Sequence, residues 1–188
     1  QVLQAFLYGV EIRALDAGKP VTLAQPYYPL KNAESHPRAP SDHVRLVIGG
    51  RGEKRTLRVV AEHADEWNVT RVDLAGYPAK LAVLADHCKA VGRNPATIRR
   101  SLMIPLAIGR DTAEVARRVA NARAVFPALP ENEAAWRAAG FLAGPPAQVL
   151  ADLDRWKAAG MQRVLLQMLD QEDIGALELF AHDVLPRL

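Results

Sequence analysis

The chain has 188 residues, 49% hydrophobic and 24% charged, the balance of an ordinary globular domain with enough apolar content for one core. Its net charge of +3 and isoelectric point near 9.2 come from basic residues interleaved with acids, as at Arg51, Glu53, Lys54 and Arg55. Nucleic-acid partners call for a one-signed stripe instead, so none is expected, and a small anionic ligand suits the modest excess better. The lone cysteine, Cys88, excludes an internal disulfide, and no apolar run has membrane-spanning length or the form of a secretory signal. The expectation is a cytoplasmic domain with no membrane partner.

Residues 1–17 carry the spacing of an amphipathic helix (Val2, Ala5, Phe6, Val10) that Gly18 ends. The pattern is already under way at Gln1, so a fragment joined partway along a helix is expected. Val21–Leu30 reads as an extended segment with a turn at Gln25–Pro26. Lys31–Ser41, with Pro37 and Pro40, reads as a surface connection, and His36 and His43 as solvated side chains.

Val44–Ile48 is the first firm strand, its near-continuous apolar character suiting a parallel strand buried on both faces. It runs into Gly49–Gly50–Arg51–Gly52. A helix over Glu53–Ala64 follows, with Leu57, Val60, Ala61 and Ala64 on one face, then a second strand over Asp65–Thr70 in which Trp67 and Val69 alternate against Glu66 and Asn68. Tyr77–Pro78 opens a long helix with Leu81, Leu84, Ala85 and Cys88 inward, ended by Gly92. Ile98–Ile108 holds the third strand, which Pro105 should end or distort. Thr112–Val125 is helical, with Val115, Val119, Ala122 and Phe126 on its inner face. A short helix follows over Glu131–Ala139. Pro145–Pro146 opens another, in the place where proline's missing N–H costs least. Arg163–Leu169 is the fourth strand. The last helix presents Leu177, Phe180, Ala181, Val184 and Leu185 as an apolar stripe.

Four strand–helix units in alternation mean parallel β/α architecture. Their number matches half of an eight-unit barrel, and an open doubly wound sheet is the competing arrangement. Gly49–Gly50–Arg51–Gly52 is only part of a dinucleotide fingerprint, because G-x-G-x-x-G is not completed. It does have the form of an anion site. Glycines let backbone N–H groups approach closely, the following helix offers its positive end, and Arg51, Lys54 or Arg55 can add a charge-assisted contact. No Ser–His–Asp order, CxxC pair, HExxH or complete phosphate loop is present, so metal and nucleophilic catalysis have no support.

The ordered series IGGRGEKRTLRVVAEHADEWN (48–68), HCKAVGRNPATIRRS (87–101), FLAGPPAQVLADL (141–153), AAGMQRVLLQML (158–169) and AHDVLP (181–186) resembles the luciferase-like oxidoreductases, most nearly the branch that uses the deazaflavin coenzyme F-420. The resemblance implies a TIM-type (β/α)8 barrel. It makes residues 1–188 a single domain that supplies the last four β/α units, a half barrel. Residues 1–43 are then a helix and insertion segment, and 44–188 are strands five to eight. The missing N-terminal half of the barrel becomes a required partner, and a homo-oligomer is a further expectation.

The resemblance also implies hydride transfer between coenzyme F-420 and an organic substrate. Gly49, Gly50, Arg51 and Gly52 then line the coenzyme's phosphate side, and Asn68 hydrogen-bonds its ring or the substrate. The catalytic residues lie mainly in the absent half. An FMN-dependent monooxygenase and a non-catalytic flavin-binding relative are the alternatives. Ser101, Met103 and Gln167 are candidate pocket positions, whereas His63, His87 and His182 sit on helices and carry no assigned role. Where the family has Gly-Thr-Pro before a helix, this chain has Gly144–Pro145–Pro146 and lacks the capping hydroxyl.

Overall fold

In a computed structural model of the chain, the structure describes residues 18–24, 29–34, 36, 45–70 and 72–188. The expected helix over 1–17, the turn at Gln25–Pro26, His43 and the start of the first strand at Val44 lie outside them. Strands β1 (Val21–Leu23) and β2 (Leu30–Ala33) form a separate antiparallel pair. Lys31–Ala33, read from sequence as loop, is therefore strand. Thr22 Oγ1 binds the Asn32 amide N–H at 3.1 Å, where Asn32 adopts a left-handed φ of 48°.

The main sheet is parallel. It comprises β3 (Val47–Gly49), β4 (Glu66–Thr70), β5 (Arg99–Ile108), β6 (Leu142–Gly144) and β7 (Arg163–Gln167). The helices are α1 (Thr56–His63), α2 (Tyr77–Ala90), α3 (Thr112–Val125), α4 (Glu133–Ala138), α5 (Pro146–Ala158) and α6 (Ile174–Asp183). The principal strands run in sequence order, β3–β4–β5–β7, with no point where the order reverses. A doubly wound sheet needs such a reversal. Sequential parallel strands joined by right-handed crossovers put their helices on one face, as barrel segments do.

That helix-covered face holds the core. Trp67 and Val69 of β4 and Leu102, Ile104, Leu106 and Ile108 of β5 are buried against Leu57 and Val60 of α1, Leu84 and Cys88 of α2 and Trp156 of α5. Tyr77 stacks on Trp67 at 6.1 Å and meets Trp156 edge-on at 5.7 Å. Burial pushes its phenol up to about 12, and the hydroxyl has no hydrogen-bond partner among the described residues. A second, smaller core lies under the end of β5. Ala107, Val115, Val119, Ala122, Trp136 and Ala143 form it, with Leu129, Phe141 and Leu169 packed against it.

Several expectations shift. The first strand is three residues long and, among the described residues, pairs with β4 alone, so Val47 is 49% exposed rather than buried on both faces. Pro105 does not end β5. Residues Ser101–Pro105 pair with β7 and Leu106–Ile108 pair with β6, so the residue lacking an N–H sits where one partner hands over to the next. Strand β6 was not foreseen; three residues are too few to set a period. Phe126 falls one residue beyond α3 and is 49% exposed. Ala176 and Leu179 of α6 and Val184 just beyond it are buried and Phe180 packs against the core, as read for Phe180 and Val184, whereas Leu177, Ala181 and Leu185 are exposed.

Candidate functional site

The C-terminal ends of the parallel strands open on a cavity of about 890 Å³, within the range of small-molecule sites. Strands β4, β5 and β7 and the turn after β3 bring residues to it. Arg51 follows β3, Thr70 ends β4, Met103 and Pro105 belong to β5, and Gln167 ends β7. The opposite wall comes from the connection between α3 and β6, chiefly Phe126, Leu129, Pro130 and Phe141. Met103 and Gln167 were candidate positions in the sequence and are lining residues here. Thr70 and the apolar wall were missed: Phe126 was read into the inner face of the preceding helix, and Leu129, Pro130 and Phe141 lie in segments with no period to read.

The glycine turn is fixed to β4 through both backbone polar groups of one residue. Gly50 N–H donates to the Asn68 carbonyl at 3.0 Å, and the Trp67 indole Nε1–H donates to the Gly50 carbonyl at 2.7 Å. Gly50 has φ +123°, a conformation side chains resist, and a Cβ there would lie 3.1 Å from Thr56 Cγ2. A Cβ on Gly52 would lie 2.9 Å from Thr56 Oγ1. The turn thus needs glycine at two places, where the backbone packs closely against Thr56 at the start of α1. That helix has no side-chain N-cap and no acid in its first turn, so its positive end is left uncompensated by its own sequence.

Asn68 sits two residues before Thr70, about 7 Å back along the strand at ~3.3 Å per residue. It is buried, and its Nδ2 donates to Ser101 Oγ at 3.0 Å. Structure therefore joins Asn68 to Ser101 and, through its backbone, to the glycine turn, while Arg51 is the member of the glycine motif that lines the cavity. Further back on the same sheet face, Glu66 is buried and accepts from Arg163 Nη1 at 3.1 Å, with Arg99 at 3.9 Å. These polar pairs are satisfied within the sheet.

The corner beyond β7 is clamped to α3. Arg118 is 5% exposed. Its guanidinium donates to the Ile108 carbonyl at 2.5 Å and to Asp173 Oδ2 at 2.7 Å, and lies 3.1 Å from Glu114. Asp173 also caps α6, accepting from Ala176 N at 3.0 Å. The hydrogen bond from Arg118 holds the Asp173 carboxyl below its ordinary range. Alongside, Asn121 Nδ2 donates to Asp170 at 2.8 Å.

A smaller cavity of about 240 Å³ lies beside α4 and α5. Its charges are internally paired, with Arg137 donating to Asp152 at 2.8 Å and to the Ala143 carbonyl at 3.1 Å. Helix α5 begins after Pro145 with no side-chain cap, as the missing hydroxyl implies. Among the described residues, no group of three His, Cys, Asp or Glu side chains is placed to hold a metal ion, and no helix is long and apolar enough to cross a membrane.

The family model described as luciferase-like monooxygenase matches residues 9–174. The chain belongs to this family. Solved structures share the fold at low identity. The coenzyme F-420-dependent tetrahydromethanopterin reductase from Methanopyrus kandleri superposes with a TM-score of 0.73 and 17% identity, over 98% of this chain and 62% of that one. An F-420-dependent secondary alcohol dehydrogenase, solved with an F-420–acetone adduct, gives 0.70 and 15%, over 92% of this chain and 58% of that one. A monooxygenase from Streptomyces bottropensis gives 0.70 and 18%, over 93% and 58%. The chain thus spans about three fifths of the length of these luciferase-like structures. No curated protein sequence matches it.

Proposed function

We propose that this luciferase-like chain forms the coenzyme-phosphate side of an oxidoreductase that transfers hydride between coenzyme F-420 and an organic substrate. The observation that carries the reading is the cavity at the strand ends with Arg51 of the glycine turn on its rim. Sequential strand order, and matches that span only part of each relative, favour a closed (β/α)8 barrel in which these units are completed by a further β/α half.

The residues present fit such a coenzyme. Bound F-420 would supply the redox chemistry itself. Arg51 offers a phosphate a charge-assisted bond, and the uncompensated start of α1 adds its dipole. Gly50 and Gly52 let the backbone turn tightly against Thr56 and carry Arg51 to the cavity, and Gly49 ends the strand. The N–H of Gly50 is already committed to Asn68, so this pair holds the turn in place rather than grasping ligand. Asn68 in turn braces β4 against β5 through Ser101. Thr70 and Gln167 present a hydroxyl and an amide at the strand ends, suited to the polar edge of a ring system. Met103, Pro105 and Phe141 exclude water from it.

The same donors suit the phosphate of FMN. The family description and the Streptomyces neighbour favour reduced-flavin monooxygenation as the second reading. Absorbance titration with F-420 and with FMN separates the two. Saturable F-420 binding, weakened at least tenfold by Arg51→Gln, is expected. Binding of FMN alone moves the assignment to the monooxygenase, and binding of neither leaves a non-catalytic relative.

A further inference from the structure

We infer that the α3–β6 connection is the substrate-selecting wall of this site and that the substrate turns an uncharged apolar face to it. The inference rests on the cavity being the reacting site. Arg51, the charged lining residue, hangs from β3, two strands and thus about 10 Å from β5 at ~4.8 Å per strand. Around β5 the lining changes character. Met103, Phe126, Leu129, Pro130, Phe141 and Leu169 face the cavity with no ionisable side chain among them. Arg137, on α4 within the same connection, is turned into the neighbouring cavity and bonded to Asp152 and the Ala143 carbonyl.

A carboxylate placed against this wall would lose water and gain no counter-charge, which is strongly unfavourable. An uncharged ring or branched chain would instead cover the exposed Phe126 and the half-buried Phe141. The wall is also built to hold its shape. Trp136 is buried beneath it, meets Phe141 edge-on at 5.6 Å, and donates its indole N–H to the Pro130 carbonyl at 2.9 Å. It touches the wall from behind and so reports on what lies in front.

The test uses the full chain labelled with 5-fluorotryptophan and no coenzyme, with the Trp136 fluorine resonance assigned by Trp136→Phe. The probes are 1-naphthalenemethanol and 1-naphthoate, which share a ring and differ in charge. The alcohol should shift the Trp136 resonance saturably. The carboxylate should do so at least tenfold more weakly. Phe126→Arg, on an exposed position, should bring the two to parity or reverse them; Ala128→Arg serves if that variant does not fold. Equal shifts from both probes, no Trp136 shift from either, or an unchanged ratio in the arginine variants would each overturn the inference. Failure of F-420 and FMN titrations with the alcohol response intact would remove the proposed function and leave the apolar wall standing.

Discussion

Replacing Arg118 by methionine keeps the stem's packing and removes the guanidinium. Three acceptors then lose a donor: the Ile108 carbonyl, Asp173 at 2.7 Å and Glu114 at 3.1 Å, while Asp173 keeps the Ala176 N–H and Arg117 at 3.7 Å, and Glu114 keeps Arg110 at 3.2 Å. Both carboxylates are largely buried, with side-chain exposures of 11% and 18%. Breaking one side of a buried pair costs at most about 3–5 kcal/mol, the full amount when the remaining charge is stranded, and Arg117 and Arg110 offset part of it here. In a domain of this size that corresponds to a fall in Tm of roughly 6–20 °C, at about 2–4 °C per kcal/mol. Asp173→Asn isolates the charge, since asparagine retains the cap on Ala176. The double variant should recover at least about 1.5 kcal/mol relative to the sum of the singles, as residues in one network do. Thermal and urea unfolding of the four proteins closes the cycle. Simple additivity, or a loss below about 1 kcal/mol for Arg118→Met, would refute the stranded-charge argument.

The same pair has an acid limb. The folded Asp173 pKa lies below its unfolded value, so its stabilisation is complete above the unfolded pKa, about 3.9, and is lost as pH falls through the folded one. The Tm gap between wild type and Asp173→Asn should be constant near neutrality and close between pH 4 and acid unfolding; a gap that widens there contradicts the sign. Trp67→Phe deletes the indole donor to Gly50 at a cost of about 1–2 kcal/mol, and hydrogen exchange at the Gly50 amide should accelerate while the rest of β4 stays protected. Gly52→Ala drives a methyl to 2.9 Å from Thr56 Oγ1. It should weaken coenzyme binding, and Gly52→Ala with Thr56→Ala should restore it; failure of that rescue means the clash is not the cause.

The strand–helix alternation was legible because buried parallel strands and one-sided helices write clear periods, as in Ile98–Ile108 and Thr112–Val125. The glycine motif was legible too, since Gly50 and Gly52 answer a local steric need. Edges and partners were not. Nothing local in Val47 says that it stays exposed, and nothing in Pro105 says that a second partner takes over beyond it. On α6, leucines at 177 and 179 are equivalent by composition, and only packing against the finished sheet decides which turns inward. The commitment of Asn68 to Ser101 is a contact across 33 positions of chain. The apolar wall comes from the turns on either side of the short helix α4, at 126–130 and 139–141, which have no period of their own.

The two hydrophobic cores carry a consequence for how such a protein diversifies. Trp67, Tyr77 and Trp156 secure the sheet and its glycine turn in one nucleus, while Trp136, Val115 and Val119 anchor the α3–β6 excursion in another. Changes in the second nucleus fall on the far side of β5 from the glycine turn. The excursion is therefore a natural unit for transplantation between relatives, one that can be exchanged with Trp136 as its plug while the glycine turn is inherited unaltered.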